Sequence, residues 1–167
     1  MSGSSPIAAI TESLWRLLDR ELSAVLPGVK VSACPPDRVR NEAGGRRINL
    51  YLCQISEDTT RRNAGSNEMP RPLVLTLRYL VSVYGDDGDG VELSAHEVLG
   101  EAMRILHEHS VTPVSRHGGD PQNGPALHIA LQAVSLDDMN KLWGSWQTPY
   151  RTSVVYDVSA AVLNSRS

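Results

Sequence analysis

The chain has 167 residues, 41% apolar and 21% charged, the proportions of an ordinary globular protein, so disorder and fibrous repeats are excluded. That length suits one compact domain, taken here as residues 1–167, with 1–5 and 164–167 as flexible ends. Its longest apolar runs, such as Ile7 to Ile10, fall far short of the ~20 residues a membrane span needs, and no signal peptide opens it, so membrane insertion is excluded and synthesis in the cytoplasm is expected. The net charge of −3 offers nucleic acid no overall attraction.

Ser5-Pro6 opens a first helix, whose apolar face recurs through Ile7, Ile10, Leu14, Leu17, Leu18, Val25 and Leu26 until Pro27-Gly28 stops it. Val29 to Val31 reads as a short strand. After a polar loop, Ile48 to Ile55 forms a second strand with apolar groups on both sides. Glu57 to Met69 is polar and reads as an exposed loop. Pro72 then introduces the strongest strand, Leu73 to Tyr84, dense in β-branched and aromatic side chains and long enough to bend or project from the core.

Gly85 to Gly90 ends that strand. Ser94 with Glu97 has the spacing of a capping box and predicts a second helix through His109. Ser110 to Pro125, with three prolines and three glycines, reads as loop. Leu127 to Val134 is a strand, Ser135 with Asp138 caps a short helix to about Trp146, Pro149 breaks it, and Thr152 to Val162 is the last strand. Helices between strands at only two points predict an α+β fold: a mixed or mainly antiparallel sheet with helices packed on one face.

Candidate chemistry is sparse. No nucleophile elbow, Cys–His signature or phosphate-binding glycine loop is present. Cys34 and Cys53 read as two buried thiols rather than a disulfide framework. His107 and His109, two apart on a helix, face different ways, and His96, His117 and His128 are scattered, so surface histidine is the simpler reading. The acidic run Asp86, Asp87 and Asp89 fails calcium-loop spacing in either register: a count from Asp86 puts glycines at positions 3 and 5, and one from Asp87 puts Val98 at 12. No cofactor, metal or catalytic group is expected, and an interaction protein is favoured over an enzyme.

Charge is unevenly spread. From Arg38 to Arg78 eight arginines face four acids, whereas from Tyr79 to Ser110 seven acids face Arg104 alone. Oppositely charged segments on one chain are the raw material for complementary surfaces between copies, with Arg61 and Arg62 as candidates for one side and Asp86, Asp87 and Asp89 for the other. An acidic surface on a partner protein is the other contact those arginines suit, and ordinary solvated loops are the simpler reading of both clusters.

The segment from Asp138 to Val158, with Leu142-Trp143, then Pro149-Tyr150-Arg151, then Ser153 and Tyr156, resembles the closing motif of the cap proteins of contractile injection systems, the phage-tail-like particles of bacteria. Further matches precede it in order: Asn49 to Leu52, Arg62-Asn63, Arg71 to Leu73 leading into Leu77 to Leu80 with Tyr79, and Leu99 to Met103. The resemblance spans about residues 7–163. It implies a non-enzymatic tail terminator, a six-fold ring on the baseplate-distal end of the inner tube and contractile sheath, whose partners are itself, tube and sheath, assembled in a particle fit for release. The motif residues read by themselves as structural: Leu142 and Trp143 pack a short helix on the sheet, and Pro149 to Arg151 set the corner before the last strand. The alternative class is a small-ligand module or enzyme whose site gathers scattered residues such as His96, Glu97 and Arg104.

Overall fold

The computed structural model describes residues 5–39, 45–59, 73–88, 90–114 and 126–162. Six strands, β1 (Lys30–Ser32), β2 (Arg47–Glu57), β3 (Leu73–Tyr84), β4 (Val111–Pro113), β5 (Ala126–Gln132) and β6 (Ser153–Val162), form one sheet in the order β1-β2-β3-β6-β5-β4. β1 runs parallel to β2 and the other neighbours are antiparallel. Three helices complete the fold: α1 (Pro6–Val25), α2 (Leu93–Glu108) and α3 (Leu136–Gly144). This is the α+β domain with a mixed, mainly antiparallel sheet that the patterning predicts. Among the described residues no helix is long and apolar enough to cross a membrane.

β3 organises both layers, because successive side chains of a strand point to opposite faces. Its odd-numbered residues Leu77, Tyr79, Val81 and Val83 are buried with Leu14, Leu18 and Leu22 of α1 and Val98, Ala102 and Ile105 of α2. On the other face Leu80 is buried with Val155 of β6 and with Met139 and Trp143 of α3. The two long helices therefore share one face, and the short third helix packs on the reverse, which corrects the expectation that the helices all pack on one face. Local pattern does not tell which side a nine-residue helix covers; the parity of the strands beneath it decides.

A buried polar contact also ties α1 to β3 within the principal core. The Tyr79 hydroxyl, on a residue 1% exposed, lies 2.7 Å from Thr11 Oγ1. On the reverse face Arg78 donates Nε and Nη2 to the two Asp157 carboxylate oxygens, at 2.8 and 3.0 Å, across the β3–β6 ladder.

Several expectations need correction. Ser94 does not cap α2: the N-cap is Glu92, and the Ser94 amide donates to Asp87 Oδ2 at 2.6 Å while Ser94 Oγ accepts from the Asp86 amide. The acidic turn folds back over the helix start, where a carboxylate meets free amides and the positive end of the dipole, so it displaces the internal box. Gly85 makes that approach possible, since a Cβ there would lie 2.5 Å from Ser94 Oγ. Ser5 is the α1 N-cap position without a side-chain capping bond; Pro6 at the first helical position provides the start. Val111–Pro113, read as loop, is a three-residue strand paired with Ala126 to His128. Finally, β2 carries a bulge: the register shifts between Leu52 and Gln54, so Ile55 realigns with Leu77 on the principal-core face.

Burial pushes the Tyr79 hydroxyl up to about 12. Its proton is held more tightly in the folded chain than in the unfolded one, where a value near 10 applies. The associated stability is whole below pH ~10 and is lost as pH rises toward ~12, on the order of 2–3 kcal/mol. Chemical unfolding measured from pH 9 to 12 should show this decline, and Tyr79→Phe should flatten it, leaving only the smaller contributions of other buried tyrosines such as Tyr84 and Tyr156.

Candidate functional site

The motif-bearing corner runs from α3 into β6. Ser135 caps α3, accepting the Asp138 amide at 3.1 Å, so the capping expected from Ser135 and Asp138 is formed. Asp137 and Asp138 in the first turn suit the positive end of the helix dipole. The helix closes at Gly144 in short turns from Ser145 to Gln147, and Gln147 adopts φ 52°, a left-handed conformation that redirects the chain two residues before Pro149.

Trp143, 2% exposed, is the anchor of this corner. Its Nε1 donates to Ser153 Oγ at 3.0 Å, and Ser153 Oγ donates to the Arg151 carbonyl at 3.1 Å. Edge-on aromatic contacts extend on both sides of it: Tyr51 with Trp146 at 5.7 Å between centroids, Trp146 with Trp143 at 5.6 Å, and Trp143 with Tyr150 at 6.2 Å. Leu142 packs partly buried against the same cluster.

Arg151 ties the corner to the rest of the molecule. Its Nε donates to the Val83 carbonyl at 3.3 Å, its guanidinium lies 4.2 Å from the centre of the Tyr84 ring, and Nη2 donates to Glu92 Oε1 at 3.3 Å. One side chain thus joins the end of β3 to the start of α2, a three-way contact that the planar guanidinium allows and an ammonium does not. Glu92, Thr11, Tyr51 and Trp146 are partners that sequence reasoning misses.

The remaining candidates separate. Asn49, fully buried, receives Ser32 Oγ at 2.9 Å and the Cys34 amide at 3.2 Å on Oδ1 and donates Nδ2 to the Cys34 carbonyl at 2.9 Å, pinning the segment after β1. Tyr79 and Tyr156 sit opposite one another on β3 and β6, within the principal core. Asp86 is exposed, and Asp87 is committed to the start of α2; its carboxyl is held below the usual range chiefly by the hydrogen bond from the Ser94 amide. Arg61, Arg62, Asn63 and Asp89 lie outside the described residues.

Cys34 and Cys53 are half-buried free thiols, and burial raises the Cys53 thiol above its ordinary value. His96, Glu97 and Arg104 do not converge. All three are exposed on α2; Glu97 meets Arg46 at 3.5 Å, and Arg104 is held by Glu101 and Glu108. Among the described residues no three His, Cys, Asp or Glu side chains are placed to share a metal ion. A concavity of about 470 Å³ lies instead between the end of β5 and α3, lined mainly by apolar groups including Leu131, Leu136, Met139 and Tyr150.

The model of the Pvc16 N-terminal domain family matches residues 9–167. The fold is similar to that of the sheath/tube terminator of the PVC extracellular contractile injection system in its extended state, with TM-score 0.68 and 17% identity over 99% of this chain. It is equally similar to the tube-terminating cap of the anti-feeding prophage, with TM-score 0.68 and 14% identity over 99% of this chain. The chain spans 59% and 58% of the length of those two proteins. No curated relative matches it.

The corner yields a graded expectation. Trp143→Phe keeps an aromatic ring but removes the donor to Ser153 and should cost about 1–2 kcal/mol, whereas Trp143→Ala opens the cluster and should cost about 3–5 kcal/mol. Urea unfolding of the two variants reads the difference; equal losses would mean that the hydrogen bond, not the packing, holds the corner.

Proposed function

The chain belongs to the Pvc16 N-terminal domain family, and from that premise we propose that it is a tail terminator, a structural cap on the baseplate-distal end of the tube and sheath of a contractile injection particle. The observation that carries this reading is the match of the family model over residues 9–167. Solved proteins of the same fold, described as a sheath/tube terminator and a tube-terminating cap, support it.

A cap of this kind works by occupying the growing end of a polymer whose head-to-tail contacts otherwise repeat without limit. Surface complementarity performs that task, without chemistry, so the protein acts as no enzyme and needs no cofactor. It assembles in the cytoplasm as a ring of six copies, one for each position of a six-fold tube, and leaves with the particle.

Deletion of the gene should leave particles of irregular or excessive length while tube subunits still fold. Length distributions by electron microscopy measure this, and fully sheathed particles of normal length would refute the role.

Ring closure is proposed to use the charge polarity, with the Arg61 and Arg62 segment of one subunit meeting the acidic turn of the next. Asp87 is engaged by the Ser94 amide at the start of α2, so the acidic side is better tested through Asp86 and Asp89. Arg61→Glu with Arg62→Glu should lower the mass of the ring in sedimentation at physiological salt, and Asp86→Lys with Asp89→Lys in the same chain should restore it. An intact ring in the arginine variant places the interface elsewhere.

A further inference from the structure

A sheet edge carries unpaired backbone groups and is normally blunted unless it is used. At one end of this sheet β1 is closed: the Trp15 indole donates Nε1 to the Val31 carbonyl at 3.0 Å. At the other end β4 is three residues long and stops at Pro113, which has no amide donor. β4 covers only part of β5, pairing with Ala126 to His128, after which the Ile129 amide donates to the Ser110 carbonyl at 2.8 Å.

Backbone groups alternate along a strand, so Leu131, two residues beyond Ile129, presents its N–H and C=O to the same outer side. No described residue pairs with that edge. Leu131 itself is 52% exposed, and Leu136 beside it is 65% exposed.

A groove lies on each side of this edge, and Leu131 lines both. One is the concavity of about 470 Å³ against α3; the other, about 350 Å³, lies against α2, with Met103, Leu106, Ile129 and Tyr156 as its apolar lining and Arg104, His107 and Ser110 as its polar lining. A strand laid along β5 would place alternate side chains in the two grooves, the arrangement by which edge addition combines backbone pairing with side-chain selectivity. The two helices that flank the grooves are acidic as a whole: Glu97, Glu101 and Glu108 on α2 and Asp137 and Asp138 on α3 are five carboxylates against Arg104 and Lys141, and Arg104, which reaches the second groove, is itself held by Glu101 and Glu108.

We propose that the open edge of β5 at Leu131 is a strand-addition site for an extended, apolar segment flanked by basic residues, contributed by a partner protein. Every strand among the described residues is already paired within its own sheet, so the described part of this chain has no spare strand to contribute. Pairing of β5 with β5 of a second copy would produce a two-fold dimer, which does not propagate around a ring. The site stands on the sheet edge and goes beyond the capping role; particle length reports on one and peptide binding on the other.

The probe is a fluorescein-labelled synthetic heptapeptide, Lys-Val-Leu-Val-Leu-Val-Lys, titrated with the intact chain and followed by anisotropy. Saturable binding is expected, weakened when the terminal lysines are replaced by glutamate. N-methylation of alternate peptide residues, which removes the donors that face the edge, should weaken binding about tenfold or more, as loss of one or two backbone hydrogen bonds implies. Leu131→Pro should do the same with an unchanged circular dichroism spectrum, because the amide it removes is outside the β5–β6 ladder. If that variant fails to fold, the methylated peptide decides. Absence of saturable binding, equal binding of the methylated peptide, or a dimer of the chain that the peptide does not compete would each overturn the proposal.

Discussion

The fold depends on the two-faced alternation of β3. This twelve-residue strand pairs with β2 along one side and with β6 along the other, so its backbone is satisfied and its side chains alone decide what each face can bury. Odd-numbered residues supply the floor beneath α1 and α2, and even-numbered ones supply Leu80 to the aromatic cluster under α3. A one-residue slip would exchange the two sets, moving Tyr79 away from Thr11 and Leu80 away from Trp143. The cross-strand pair of Arg78 and Asp157 and the bond from Tyr79 to Thr11 both reinforce the observed register.

The motif at the end of the chain becomes intelligible on that scaffold. Trp143, Ser153 and Arg151 hold the corner through bonds to each other, to the end of β3 and to the residue that begins α2. Such residues maintain the position of a surface rather than form one. Exposed apolar groups close by, Leu131, Leu136 and Tyr150, are the part of this corner that faces outward.

How much was legible in the sequence differs by element, for physical reasons. β3 is bounded by Pro72 and Gly85 and is dense in β-branched and aromatic residues, so its limits are readable to the residue. α1 is equally plain, with a proline start and a Pro-Gly stop around an apolar stripe. β4 has no pattern of its own; three residues ending in proline become a strand only because β5 offers an edge. The start of α2 misleads because a competing acceptor, Asp87, returns through a turn that only the fold brings close. Of the motif residues, Trp143 and its place on a short helix were readable, whereas the reach of Arg151 to Glu92, 59 positions away, depends on tertiary register. The bulge between Leu52 and Gln54 and the face chosen by α3 are set by neighbours, not by local propensity.

The proposed capping role commits the protein to one place on a particle, and that location is its most direct test. Intact particles should be labelled with an antibody against this chain and imaged by electron microscopy together with a marker for the baseplate. A capping role requires label on the single end opposite the baseplate, at one cluster per particle. Label along the shaft, at the baseplate, or only on free protein would contradict it.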